Sequence, residues 1–348
     1  MKNKLRYNAA IIGTGRIGFS LGFDKKREQP ASHTMTLINN KSINLVAGVD
    51  NSPEKLNTWK LFVSKKNKTV ETFTNSEDLY ANVKDLDIVV VAVNEESHLS
   101  ECIKAIEYKP KLVILEKPVA LNSFEAEKIY DSAKINNVAV MVNHERRFAL
   151  DYLTAKELVK SIGDIQYVVG ELDSGLRVFG KEFEKDGTYS LLHDGTHLVD
   201  IIQYLFDCEL KNPVVTNVYK DEKGIVRNFA AHYKTDKIPE ITVKMSGRSK
   251  FFEFRIEILG TLGKICVGNG IFEYYLREES KLYTGFYSLK RKKIKLIKKT
   301  KYFENMLKNA VDYLNKKKEL ISPLEDAIND LKVLEKKIYK KEKKELTK

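Results

Sequence analysis

Residues 9–18, Ala9-Ala10-Ile11-Ile12-Gly13-Thr14-Gly15-Arg16-Ile17-Gly18, join a short apolar run to the glycine spacing GxGxxG. Glycines at these positions allow a tight turn, let the backbone approach a pyrophosphate, and let the next helix pack closely on the strand. The spacing alone is a weak signal, but here it follows a predicted strand over 7–12. Gly13, Thr14, Gly15, Arg16, Ile17 and Gly18 are therefore predicted to bind a dinucleotide.

Beyond this turn, the first 143 residues alternate short apolar runs with helical stretches, the pattern of a doubly wound parallel sheet. The predicted strands are 7–12, 44–49, 69–73, 86–93, 111–115 and 138–142. Helix starts are predicted at Ser52 and Asn75, and a further helix over 123–136. The long segment 19–42 is predicted to hold a helix, a loop and a second short helix.

After residue 165 the pattern changes to that of a mainly antiparallel sheet. The predicted strands are 166–172, 214–219, 228–233, 240–246, 251–259 and 264–267, with helices near 188–206, 302–319 and 323–341. The chain is thus predicted to be an α/β protein of two domains. Residues 1–143 form the dinucleotide-binding domain, and residues 144–348 form an α+β domain with an open sheet for substrate binding and oligomerisation.

The formal net charge of +12 is concentrated near the C-terminus. Residues 281–303 carry nine Lys or Arg and no acid, and residues 331–348 carry eight Lys against three Glu. Residues 290–295 are predicted to form an exposed strand or loop. Neither basic segment interleaves aromatic side chains with its charges, as a groove for single-stranded nucleic acid would. A solvated surface is favoured over a nucleic-acid partner.

The remaining composition excludes several classes of protein. Cys102, Cys208 and Cys266 are far apart and form no CxxC pair, so reduced thiols are expected and no His/Cys spacing resembles a metal site. No segment approaches the roughly 18 apolar residues of a membrane span. Residues 1–4 do not open a signal peptide. We expect a cytoplasmic protein with no metal and no membrane partner.

Two further strand ends are predicted to contribute to the cofactor site. Asp50 follows the second strand, where a carboxylate accepts the ribose hydroxyls and repels a 2′-phosphate, which favours NAD over NADP. An acid that merely opens the turn before Pro53 fits Asp50 almost as well by itself. Asn94 follows the strand 86–93 and is predicted to line the cofactor. His98 either does the same or packs against a neighbouring loop.

Glu116-Lys117-Pro118 follows the apolar run 112–115, so it lies at the edge of the sheet where ligands of parallel sheets bind. A lysine partly removed from water beside a cationic nicotinamide has a lowered pKa, and it can move the proton of a substrate hydroxyl as hydride is transferred. The alternative is a surface lysine paired with Glu116. We predict that Lys117 is catalytic and that Glu116 and Lys117 contact the cofactor.

A third group of polar residues lies on a predicted helix. Asp194 and His197 are three residues apart and His193 and His197 are four apart, so all three share one helical face. Such a face can present an acid/base group to a substrate. The alternative is a helix whose polar residues are satisfied locally.

Together these motifs resemble the glucose–fructose oxidoreductase / inositol dehydrogenase / rhizopine-catabolism (Gfo/Idh/MocA) family over nearly the whole chain. The resemblance rests on Gly13–Gly18, Asp50, Asn94 with His98, Glu116–Pro118, residues 143–148, the helix bearing His197, residues 260–263 and residues 322–327. It implies an N-terminal Rossmann domain and a C-terminal domain with an open sheet. It also implies homodimers or homotetramers built on that sheet, and nucleotide-dependent oxidation or reduction of sugars or cyclitols.

The resemblance also implies roles for individual residues. Lys117 and His197 would be catalytic, and Arg146 and Arg147 would contact substrate. The family commonly has an Asp four residues before the histidine, where this chain has His193. Either His193 or Asp194 therefore completes the catalytic set; Asp194 is favoured, which leaves His193 as a substrate contact.

Two functional hypotheses follow from these residues. The first is an NAD(P)-dependent oxidoreductase acting on a secondary hydroxyl of a sugar, sugar acid, cyclitol or nucleotide sugar. The second is a non-catalytic NAD-sensing or partner-binding protein on the same fold.

Overall fold

The computed structural model describes residues 6–66, 69–174, 188–222, 226–294 and 299–338, without the side chains of 188–193 and 336–338. The chain divides into two compact units. Unit 1 comprises Met1–Ala149 with Lys299–Ile328, and unit 2 comprises Leu150–Lys298 with Asn329–Lys348. No helix in the described ranges is long and apolar enough to cross a bilayer.

Unit 1 is built on a parallel sheet of six strands in the order β3-β2-β1-β4-β5-β6. Its strands are β1 (Tyr7–Ile12), β2 (Ile43–Val49), β3 (Glu71–Phe73), β4 (Ile88–Val91), β5 (Leu112–Leu115) and β6 (Ala139–Val142). The central strands β4 and β5 are buried along their whole length, as expected of a parallel sheet covered on both faces. The predicted Rossmann sheet is confirmed.

Four of the α-helices of unit 1 begin where the sequence supplies a capping side chain, Ser32, Ser52, Asn75 or Asn122. The helices of unit 1 are α1 (His33–Asn39), α2 (Pro53–Ser64), α3 (Ser76–Asn82), α4 (His98–Glu107), α5 (Ser123–Asn136) and α8 (Tyr302–Leu314). Ser52 caps α2 ahead of a proline in the first turn, and Asn75 caps α3, which confirms both predicted helix starts. The buried indole of Trp59 on α2 packs against Gly48 in β2, where a Cβ atom would collide with the ring.

Helix α8 belongs to the core of unit 1 although it lies far along the chain. Phe303, Met306 and Leu307 are in the same buried cluster as the strands β1 and β4. The carboxylate of Glu28 accepts hydrogen bonds from the backbone N of Thr300 and of Lys301, each at 2.6 Å, and so holds the start of the helix. The sequence-based boundary at 143/144 assigns this segment to the C-terminal domain, whereas its packing places it with the first.

Unit 2 contains an eight-stranded sheet in the order β14-β13-β12-β11-β7-β10-β9-β8. Its strands are β7 (Ile165–Ser174), β8 (Val214–Lys220), β9 (Val226–Tyr233), β10 (Ile241–Ser246), β11 (Phe252–Gly260), β12 (Gly263–Gly268), β13 (Ile271–Glu279) and β14 (Tyr287–Arg291). All described pairings are antiparallel except β7 with β10. The predicted mainly antiparallel sheet is confirmed.

Strand β13 was not predicted, although Asn269-Gly270 between β12 and β13 is a typical two-residue hairpin turn, with Gly270 at φ +74°. The edge strand β14 is exposed at every residue, in agreement with the expected exposed segment near 290.

Helices α6 (Leu150–Val159) and α7 (Thr188–Phe206) lie in unit 2, and α9 (Leu324–Ile338) begins in unit 1 and ends in unit 2. Helix α7 packs closely on β7: a Cβ atom at Gly170 would lie 2.7 Å from Cδ1 of Ile202.

Helix α8 was predicted to reach residue 319 but ends at Leu314. Lys316 adopts a left-handed conformation there, which a helix cannot continue.

Candidate functional site

The glycine turn after β1 has the geometry that the spacing predicted. Gly13 has φ +95°, and a Cβ atom there would collide with the carbonyl of Ala92. A Cβ atom at Gly18 would collide with the carbonyl of Gly13. By contrast, a Cβ atom at Gly15 would have no atom within 4 Å. The outer glycines are therefore required by packing within the protein, whereas the middle one keeps an open surface for a ligand.

The helix predicted to follow this turn is much shorter than expected. The backbone N of Phe19 donates to the carbonyl of Gly15, and a four-residue 3₁₀ helix then covers Ser20–Phe23. The next helix, α1, starts only at His33. Gly22 and the polar residues after it offer no apolar face to hold a longer helix against the sheet. Arg16 is exposed, and Ile17 packs on the core.

Asp50 is bonded directly to the glycine turn. Its Oδ2 accepts hydrogen bonds from the backbone N of Thr14 at 2.8 Å and from the hydroxyl of Thr14 at 3.0 Å. Its Oδ1 accepts from the backbone N of Ser52 at 2.9 Å, so the carboxylate also opens the turn before α2. A carboxylate has about four acceptor positions. Asp50 can therefore serve the turn and still accept from a ribose hydroxyl.

Thr34 supports the turn from behind and was not singled out from the sequence. Its hydroxyl donates to the carbonyl of Gly18 at 2.6 Å and accepts from Nε1 of Trp59 at 2.9 Å. The sequence gives little indication of this role, because Thr34 is recognisable only as a threonine two residues after Ser32, which caps the short helix α1.

His98 acts as a link between two loops. It is 1% exposed, and its Nδ1 and Nε2 lie 2.6 Å from the carbonyl of Pro118 and 3.2 Å from that of Val93. Burial lowers the pKa of His98, an effect that the two carbonyls and nearby acids only partly offset. Of the two interpretations of His98, this geometry supports packing against the neighbouring strand loop. Asn94 at the same strand end is exposed and forms no capping hydrogen bond.

Glu116 lies at the end of β5 and is only 6% exposed. Its Oε1 lies 2.6 Å from Nε2 of His33 and accepts from Nδ2 of Asn143 at 2.7 Å. Burial acts to raise the pKa of this carboxyl, but the bond and charge of His33, the Asn143 bond and the Lys117 charge together hold the pKa below its usual value. Oε1 of Glu116 is therefore occupied by bonds within unit 1, and the cofactor contact of this residue stays a prediction. Lys117 itself is half-buried, and the Lys117–Pro118 peptide is cis.

Arg147, predicted to contact substrate, is bound within unit 1. Its side chain is 4% exposed, and Nη1 donates to the carbonyl of Ile321 at 2.9 Å and to Oδ2 of Asp326 at 2.5 Å. The guanidinium therefore joins the 145–148 turn to Ile321 and to the first turn of α9. Arg146 is half-buried on the same turn.

Asp194 and His197 are both buried on α7 in unit 2. Oδ2 of Asp194 accepts a hydrogen bond from the hydroxyl of Ser174 at 2.7 Å, so the carboxylate is held against the end of β7. Ser174 was not foreseen. The side chain of His193 lies outside the described residues. The preference for Asp194 over His193 as the residue that completes the catalytic set therefore stays a prediction.

Comparison with known proteins agrees with this architecture. Residues 7–144 match the model of the Gfo/Idh/MocA oxidoreductase family with an NAD-binding Rossmann fold. Scyllo-inositol 2-dehydrogenase (NAD(+)) of Bacillus subtilis is 28% identical over 204 residues, which cover 56% of this chain and 59% of that protein. An uncharacterized oxidoreductase of Schizosaccharomyces pombe is 31% identical over 143 residues, 39% of this chain and 38% of the relative. The chain thus spans less than two thirds of the length of these curated relatives.

Solved structures extend the likeness of fold beyond the matched segment. A putative myo-inositol dehydrogenase from Sinorhizobium meliloti has a TM-score of 0.74 at 16% identity, over 94% of this chain and 95% of that one. An oxidoreductase from Agrobacterium radiobacter, solved with NAD+, L-tartaric acid and magnesium, has a TM-score of 0.73 at 17% identity, over 95% and 94%. The glycine turn, Asp50 and Glu116-Lys117-Pro118 all lie inside residues 7–144, and this segment is that of a Gfo/Idh/MocA family oxidoreductase with an NAD-binding Rossmann fold.

Proposed function

We propose that this protein is an NAD-dependent dehydrogenase or reductase that acts on a secondary hydroxyl of a sugar, sugar acid, cyclitol or nucleotide sugar. One observation carries the proposal: a glycine turn bonded to Asp50 and a half-buried lysine follow strands of one parallel sheet, at their carboxyl ends. Ligands of such sheets bind at that edge. A nucleotide and a proton donor or acceptor therefore share one side of unit 1.

The residues of unit 1 suit NAD better than NADP. The open surface at Gly15 leaves room for a pyrophosphate, and the remaining acceptor position of Asp50 suits a ribose hydroxyl. A 2′-phosphate there would face a carboxylate that is mostly buried. Arg16 and Asn94, both exposed, are proposed to contact the same nucleotide, as is Lys117.

In the proposed reaction the glycine turn and Asp50 would hold NAD, which when bound would supply hydride chemistry at the substrate carbon. Lys117 as a neutral amine takes the proton of the substrate hydroxyl during oxidation, and as an ammonium it returns that proton during reduction. The proposed roles of Asp194 and His197 in proton transfer come from the family resemblance. The bond from Ser174 fixes the orientation of Asp194 within unit 2. Arg146 remains a proposed substrate contact.

A spectrophotometric screen of sugars, cyclitols and nucleotide sugars with NAD(H) and NADP(H) tests the proposal. We expect turnover with NAD and one of these classes, and a loss of at least about a hundredfold in kcat for Lys117→Ala with NAD affinity kept. Full activity of Lys117→Ala would contradict the mechanism. Tight NAD binding without turnover across the panel would instead support the NAD-sensing alternative.

Homo-oligomers are proposed to form on the open face of the unit 2 sheet, opposite α7. There Glu171 pairs with Arg255 at 2.6 Å and with Lys244 at 3.2 Å, so the face is bridged by ion pairs across β7, β10 and β11. Light scattering on the full chain gives the mass in solution. A monomer at micromolar concentration would contradict this proposal.

A further inference from the structure

A buried carboxylate stands next to the proposed catalytic lysine. Glu116 is held by one residue from α1, His33, and one from the end of β6, Asn143, both acting on the same oxygen. His33 is 1% exposed and its ring packs edge-on against Phe303, with ring centroids 5.1 Å apart. Three separate elements of unit 1 thus converge on one charge.

Burial of a carboxylate is costly unless partners compensate for the lost water. Replacement of such a group by an apolar side chain is often neutral or stabilising, so packing alone does not explain its presence. Asn143 shows a related cost: its Nδ2 bonds to Glu116, which leaves its buried Oδ1 without an acceptor bond among the described residues. A buried polar atom without a partner destabilises the folded protein. The residues around Glu116 are therefore arranged to hold a charged carboxylate, although an apolar side chain at this position would pack at least as well.

We infer that Glu116 is a positioning residue, a fixed buried anion whose field raises the basicity of the Lys117 amine, and that His33 and Asn143 hold it in place. The inference rests on the proposed catalytic role of Lys117. Within the described residues, the titratable groups coupled to the Glu116 carboxyl include His33, Lys117 and the buried His98. A nearby opposite charge favours the charged form of a titratable group.

The functional benefit follows from the sign of this field. A cationic nicotinamide and partial burial both lower the pKa of a nearby lysine. The Glu116 anion opposes these effects, so the amine keeps enough basicity to remove a hydroxyl proton. Without the anion, Lys117 would lose its proton too readily and would be a poorer base.

Competitive acetylation of Lys117 by acetic anhydride, followed across pH by mass spectrometry, measures the basicity of the amine without any turnover. We expect the midpoint of Lys117 labelling to fall by about one pH unit or more in Glu116→Gln. Glu116→Asp should restore part of the shift. Glu77→Gln is the matched control, because Glu77 is an exposed acid of the same unit that pairs with Lys104 at 2.7 Å, and its midpoint should equal that of the wild type.

The inference is overturned if the Lys117 midpoint in folded Glu116→Gln lies within about 0.3 of the wild-type value. If that variant does not fold, Asn143→Ala gives the second test, with a smaller shift in the same direction expected and an unchanged midpoint contradicting it. In an active enzyme the same shift should appear in the pH profile of kcat/KM, which a purely structural role would not move. Absence of turnover in the wild type would contradict the proposed function but not the labelling result.

Discussion

Thr14 donates two hydrogen bonds to a single oxygen of Asp50, from its backbone N at 2.8 Å and its hydroxyl at 3.0 Å. The glycine turn and the carboxylate proposed to select the nucleotide are therefore bonded to each other. A change at either residue should disturb both the shape of the turn and the choice of nucleotide.

Asp50→Ala should weaken NAD binding by about tenfold to a hundredfold, because it removes a charged acceptor from both the ribose site and the turn. Discrimination against NADP should fall at the same time, since the carboxylate that repels the 2′-phosphate is gone. Calorimetry with each nucleotide measures both effects. Glu54→Gln, an exposed acid four residues further on, is the control and should bind NAD normally. Unchanged NAD affinity in Asp50→Ala would rule out the ribose contact.

Substitutions at two glycines of the turn should have different effects, one on NAD binding and the other on the stability of the fold. Gly15→Ala is expected to fold with a nearly unchanged melting temperature but to lose most NAD affinity, because the new methyl group enters the open space reserved for the pyrophosphate. Gly18→Ala should lower the melting temperature, because its methyl group meets the carbonyl of Gly13. Calorimetric melting and nucleotide titration distinguish the two. Full NAD affinity in Gly15→Ala would place the pyrophosphate elsewhere.

Arg147 should behave as a structural residue. Arg147→Ala leaves the carbonyl of Ile321 and the Asp326 carboxylate without this donor and is expected to cost about 2–4 kcal/mol in the free energy of unfolding. Urea denaturation measures the loss. Arg6→Ala, at an exposed side chain of the same unit, should cost less than about 0.5 kcal/mol. Intact stability with weaker substrate binding would restore the substrate contact first predicted for Arg147.

His98 should make the protein less stable in mild acid. Burial lowers its pKa below the usual value near 6.5, so the unfolded chain takes up a proton at a pH where the folded protein does not. Stability from the neutral form is present above about pH 6.5 and is lost as the pH falls below it. Urea midpoints at pH 7.5 and 5.5 should differ more for the wild type than for His98→Gln. His232→Gln, on the unit 2 sheet, should keep the wild-type difference; equal pH dependence in His98→Gln would refute the assignment.

The features that the sequence predicts best are local ones. The continuous apolar runs at 88–91 and 112–115 became buried parallel strands, and the glycine spacing set the turn, because both depend on neighbouring residues. The partners of Glu116 could not be predicted, since His33 is 83 positions away and its bond depends on how α1 packs on the sheet. The same holds for Glu28 and Thr300, 272 positions apart. Single-sequence patterns carry no record of such pairings.

The packing of α8 sets a condition on how the nucleotide domain can form during synthesis. Phe303, Met306 and Leu307 complete a core whose first strand begins at Tyr7, so the domain lacks part of its interior until residue 311 has left the ribosome. Unit 2 residues from Leu150 onward are made in the meantime. The strands of the first domain therefore lack the apolar cover that α8 supplies throughout that interval.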